Sequence, residues 1–282
     1  MKAKILLLIF FLFYFAISKS QVNIDFIEKI QNYKETVKVS PTSSFYNDYI
    51  DTSTFNIKTY MAKYSALKMD KKGYIYDYYY YDNFLDGRPF IYVRPQKFNL
   101  TNHINKKANK IKLKGKEREE FIRRGLYYFL EDSCNKANKN VFPEDTEEGF
   151  LQYLYFYEFG ENFALKWHAR YKKKHVITTN QEIEKILKQC TEQLSNTDTI
   201  NDERGQFRVE VDDCDTIALQ KFLLLGSLIS VQFNIDNVVV KWLESDRWGI
   251  FERTYKIMRA KPYHIELIDE ERLVKFQNLA IY

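Results

Sequence analysis

Glycine and proline are scarce in this 282-residue chain, at nine and five, which excludes collagen-like repeats and Gly/Pro-rich disorder. Histidine is scarcer: His103, His168, His175 and His264 are the only imidazoles, and no two stand three or four residues apart. That spacing offers no locally encoded histidine metal site. The three cysteines, Cys134, Cys190 and Cys214, are 56 and 24 residues apart and fit no zinc pattern. The G-x-S-x-G, H-E-x-x-H, Walker A and G-x-G-x-x-G signatures are all missing. No metal and no cofactor is expected, and no named reaction follows from a motif.

Aromatic residues are what the chain has in abundance. They make up 17% of it, with 22 Tyr and 22 Phe, against 45% hydrophobic and 29% charged residues overall. Those proportions are globular, and the aromatic excess favours strand. A chain of this size buries roughly three quarters of its unfolded surface, so it needs no disulfide or metal to hold its core.

The N-terminus has the layout of a secretory leader. Lys2 and Lys4 precede an uncharged apolar run, Ile5 to Ile17, and Ser18-Lys19-Ser20 places small residues before Gln21. The run has 13 residues, short of the roughly 20 that a spanning helix needs. Residues 1–20 are therefore read as a signal peptide, and residues 21–282 as an exported chain, periplasmic or secreted, that does not span a membrane once cleaved. The formal charge is +5, and the three lysines before Gln21 leave the mature chain at +2. A balance so near neutral gives no general argument for nucleic acid as a partner. In an oxidising compartment three cysteines allow one bridge, and spacing does not choose the pair. Cys190 lies on an apolar helix face, which also suits a buried thiol.

The mature chain shows no linker, so it reads as one domain or two closely packed halves, 21–104 and 105–282. Four stretches carry helical signals. Asn23 precedes Ile24, Ile27 and Ile30; Ile57, Tyr60, Met61, Tyr64 and Leu67 share a stripe, although alternation there also permits a strand; residues 117–136 follow Gly115; and Thr179-Asn180-Gln181-Glu182 is a capping box opening 179–194. Strands come in hairpins. Tyr74–Tyr81 and Pro89–Arg94 flank Asp86-Gly87, and Phe150–Phe159 and Asn162–Tyr171 flank Gly160-Glu161. Segments 207–212, 216–225, 228–235, 237–244 and 248–258 read as a meander. The fold class is α+β: a mainly antiparallel sheet, hairpins plus a C-terminal meander, with two or more amphipathic helices packed on it.

The 150–171 hairpin carries the main candidate site. Its register sets Tyr153 across from His168 and Tyr155 across from Lys166, with Arg170 on the same face. A row of rings beside a row of cations suits an anionic small molecule or glycan; a solvated face on which cation stems cover tyrosines has the same pattern. Three other features are weaker. The ladder Tyr74, Tyr76, Tyr78, Tyr80 suits either recognition or packing. Glu210, Asp212, Asp213 and Asp215 suit a strand end and turn. Glu158 and Glu161 flank a turn as a carboxylate pair whose members diverge. Two functions follow: a non-enzymatic exported protein that binds a ligand or envelope component, or a hydrolase of an envelope or extracellular polymer using His168 or a carboxylate.

Overall fold

A computed structural model describes residues 23–40, 49–50, 53–69, 72–81, 88–131, 137–160, 174–191, 200–202, 205–225, 228–246 and 248–281. Asn23 accepts the Asp25 amide at 3.0 Å and opens α1 (Asp25–Thr36), which buries Phe26, Ile27 and Ile30. After the short pair β1 (Val39–Ser40) and β2 (Tyr49–Ile50), Asn56 caps a five-residue α2 (Ile57–Met61). The stripe expected there keeps Tyr60, Met61 and Tyr64 buried. Leu67 instead begins β3 (Leu67–Met69).

The tyrosine run forms β4 (Tyr74–Tyr81), paired antiparallel with β5 (Arg88–Pro95) from Tyr74↔Pro95 to Tyr81↔Arg88. Tyr74, Tyr76 and Tyr78 are half-buried against the core. Two helices follow, α3 (Leu100–Lys110) and α4 (Gly115–Glu131), packed against each other as a helical hairpin. The first has no counterpart among the helices expected from sequence. A 3-10 turn (Ala137–Lys139) leads to β6 (Val141–Pro143), which pairs with β3.

Residues 150–159, expected as a strand, are helical. α5 (Glu147–Tyr155) runs directly into a π-helical turn, Phe156–Gly160. Thr146 caps it by accepting the Gly149 amide at 3.0 Å, and Glu147 and Glu148 sit in the first turn, where the helix dipole favours them. Alternation misleads because Phe150 to Phe156 are all buried. A segment covered on every side has no wet face to mark its period. Gly149 permits the entry, since a Cβ there would lie 2.1 Å from the Glu144 carbonyl oxygen.

β7 (His175–Val176) precedes the capping box, which forms as expected: Glu182 N–H donates to Thr179 Oγ1 (3.3 Å) and Thr178 N–H to a Glu182 oxygen (3.2 Å). The helix is α6 (Asn180–Thr191). β8 (Ile200–Asp202) and β9 (Gly205–Cys214) come next. Residues 216–225, also expected as a strand, form α7 (Thr216–Leu225). Asp215 caps it, its Oδ1 accepting the Ala218 amide at 2.8 Å. Cys190 is bonded to Cys214, Cα to Cα 6.0 Å, fastening α6 to the end of β9.

The meander is then β10 (Ile229–Phe233), β11 (Asn237–Asp246), β12 (Gly249–Met258) and β13 (Ile265–Ile281). Strand order is β10-β11-β12-β13-β9-β8, with β7 joining β11 through Glu244↔Val176 and Ser245↔His175. All pairings are antiparallel, so the fold is α+β. β13, unmarked in the sequence reading, lies between β12 and β9. Helix α5 packs on β10 and β11, where Phe150 meets Phe233 (5.6 Å) and Phe159 meets Trp242 (5.9 Å). The helices that pack on the sheet include α5, α6 and α7. One cluster of buried side chains extends from Phe26 to Val274.

Candidate functional site

Because 147–155 is helical, the 150–171 hairpin register does not form as expected, and the facing pairs Tyr153 with His168 and Tyr155 with Lys166 go with it. Tyr153 is 4% exposed and donates its hydroxyl to the Asn138 carbonyl (3.2 Å). Tyr155 is 3% exposed and packs edge-on against Phe26 (5.5 Å), and burial raises its hydroxyl pKa. Both rings are core. Lys166, His168 and Arg170 lie outside the described residues, as does Glu161.

The acidic run is structural where described. Asp212 pairs with Lys275, Asp213 accepts the Cys214 amide, and Asp215 caps α7. Among the described residues no group of His, Cys, Asp or Glu is arranged to hold a metal ion. An open depression of about 490 Å³ lies by the β10–β11 turn, lined by Asp145, Ile235, Asp236, Met258 and Arg259. Its cation is already engaged: Arg259 binds both Asp145 oxygens (3.0 and 2.6 Å) and the Asn234 carbonyl (2.8 Å), and lies over the Phe233 ring.

Two constellations remain. The first centres on Glu244, whose side chain is fully buried on β11 and whose Oε2 has no hydrogen-bond partner among the described residues. Its other oxygen meets Lys174 Nζ (3.3 Å) and the Arg253 guanidinium. Lys174 also binds Glu158 (2.6 Å), presented by the π-helical turn, and Arg253 also reaches Glu270 (2.6 Å) and Asp246 (3.4 Å). Burial pushes the Glu244 carboxyl above the ordinary carboxylate value, against the pull of Lys174 and Arg253. The carboxylates hold both cations charged although burial opposes it. This network joins the π-turn, the residue before β7, and strands β11, β12 and β13. It needs the tertiary register, so sequence spacing could not show it.

The second is the connection between α3 and α4. Lys106, Lys107, Lys110, Lys112, Lys114 and Lys116 fall within eleven residues that contain no acid. All six are exposed, and none has an ionic partner among the described residues. The turn is well defined. Leu113 N–H donates to the Ala108 carbonyl (3.2 Å) and Lys112 N–H to that of Asn109 (3.0 Å), with Lys112 at φ 57°. That is a Schellman ending with lysine where glycine is usual. Arg118 ties the two helices by donating to Asn109 and to Asn105 (2.8 Å). No family model, curated protein or solved structure matches this chain.

The lysine cluster had a signal in the sequence. A local charge run is visible at once, but the near-neutral total hid it: with six charges at the turn, the rest of the +2 mature chain carries −4. Chemically, the Glu244 network can hold or exchange a proton on a desolvated carboxyl. The lysine turn can hold an anion several charges wide.

Proposed function

We propose that the chain is exported after loss of residues 1–20 and acts outside the cytoplasm as a non-enzymatic protein that binds an anionic envelope component at the turn between α3 and α4. The observation that carries this reading is the set of six exposed lysines that have no acidic partner among the described residues, on a clamped turn. Cations in water gain nothing from one another; gathered this closely they repel, and a multivalent anion relieves that repulsion. The Cys190–Cys214 bridge supports the compartment, since disulfides persist where the milieu is oxidising.

The test is elution of the exported chain from immobilised heparin, a soluble polyanion, along a salt gradient. The wild type should be retained and released by salt. Replacing Lys106, Lys107, Lys110, Lys114 and Lys116 by Gln should abolish retention, because each loses a phosphate- or sulfate-pairing charge. The competing locus is Lys166 with Arg170. Retention that survives the five-lysine change and disappears in Lys166→Ala/Arg170→Ala would move the site there. The hydrolase reading keeps one supporting observation, the carboxyl groups of Glu158 and Glu244 meeting on Lys174. It requires release of reducing ends from a glycan that stops in Glu244→Gln.

A further inference from the structure

We infer that the anionic partner of the lysine turn is the headgroup plane of a lipid bilayer, entered by Ile111. This rests on the lysine turn as the binding site and names what it binds. Ile111 is the C-cap of α3, at the apex of the turn, and is 54% exposed despite a large apolar side chain. Leu113, two residues on, is half-buried, so the apex alternates Ile111, Lys112, Leu113, Lys114. An exposed apolar side chain at a turn rich in exposed lysines matches the boundary between headgroups and acyl chains, with acyl chains taking the apolar side chain and phosphates the cations.

The composition of the patch separates this partner from others. A small anion would use one or two cations and leave Ile111 wet. Planar, bidentate recognition of individual phosphates favours arginine, and residues 106–116 contain none. Binding of single-stranded nucleic acid uses aromatic platforms, and this stretch has no aromatic residue. Lysine is a point charge on a flexible stem, suited to a diffuse plane of charge. Arg118, by tying Asn105 and Asn109 to α4, holds the turn in place before contact. The attraction is the electrostatic kind that adds about a fivefold gain in partition for each lysine near an anionic surface.

The experiment is co-sedimentation of the exported chain with phosphatidylcholine vesicles and with vesicles in which about a quarter of the lipid is phosphatidylglycerol. Binding is expected to the anionic vesicles only, and to fall with added salt. Ile111→Ser should weaken vesicle binding severalfold while leaving heparin retention unchanged. Lys112→Gly should weaken it about fivefold while raising thermal stability, because glycine relaxes the left-handed backbone at that position; misfolding cannot produce that combination. If heparin is retained through the lysines but anionic vesicles are not bound, or if Ile111→Ser binds them as well as wild type, the lipid inference is overturned and the anion-binding reading stands. Binding to duplex DNA without vesicle binding overturns it in favour of nucleic acid. If neither heparin nor anionic vesicles bind, both readings fall.

Discussion

Arg253 and Glu244 touch each other, yet removing one should cost far more than removing the other. In Arg253→Met, the Glu244 carboxylate keeps, among the described residues, only Lys174, at 3.3 Å, while its side chain stays fully buried. Asp246 and Glu270 lose the same partner. Leaving a buried charge this short of compensation costs about 3–5 kcal/mol. In Glu244→Gln the two cations still have other carboxylates: Lys174 has Glu158 at 2.6 Å, and Arg253 has Glu270 at 2.6 Å and Asp246 at 3.4 Å. The amide oxygen still accepts from Arg253, so the loss is about 1–2 kcal/mol. Protonation gives a second handle. Burial already raises the Glu244 pKa, and a carboxyl raised in the folded state stabilises the fold most at low pH. That contribution fades as pH rises through the raised value. Removing the Arg253 charge raises it further, so the Arg253→Met defect should be larger at pH 8 than at pH 5, and Glu244→Gln should lose this dependence. Urea unfolding followed by circular dichroism at both pH values measures it. Equal costs for the two variants, or a smaller defect for Arg253→Met at the higher pH, would refute the reasoning.

Gly149→Ala places a methyl group 2.1 Å from the Glu144 carbonyl oxygen, a backbone atom, so the loop before α5 must move; the unfolding free energy should fall by about 2–3 kcal/mol, read as a lower urea midpoint. Cys190→Ser, or reduction of the wild type, opens a loop of 24 residues and should cost about 3 kcal/mol, read as a lower melting temperature that reductant produces in the wild type and not in the variant. Glu182 has a lowered pKa: burial opposes its ionisation, but His175 at 3.3 Å and the Thr178 and Thr179 amide and hydroxyl donors outweigh it. Its contribution is present above the ordinary carboxylate value and lost as pH falls through the lowered one, so Glu182→Gln should flatten the acid side of the stability curve, by about 0.5 kcal/mol for a site this exposed.

Local chemistry made several elements readable before any packing was known. Thr179 and Glu182 cap a helix wherever the chain takes them, and Asn23, one residue before the N-cap of α1, accepts its first amide. Alternation and turn residues marked the 74–95 hairpin and the β10, β11 and β12 segments, because each keeps a polar face or a turn that a short window can see. The lysine run is equally local. What packing decided was everything that needed a partner from far away. Residues 150–156 and 216–225 are apolar enough to be strand or helix; the caps at Thr146 and Asp215 are local signals, but the buried surroundings that remove any wet face came from the sheet beneath. β13, rich in charge between Glu266 and Arg272, became a strand because β12 and β9 pair with it. The meeting of Glu158, Lys174, Glu244 and Arg253 depends on the pairing of β11 with β12 and β7 and on one π-turn. So does the burial of Tyr153 and Tyr155, which as strand residues would have faced solvent. Caps and turns act over four residues, whereas burial is set by whatever the rest of the chain lays on top, and a window of sequence contains only the first.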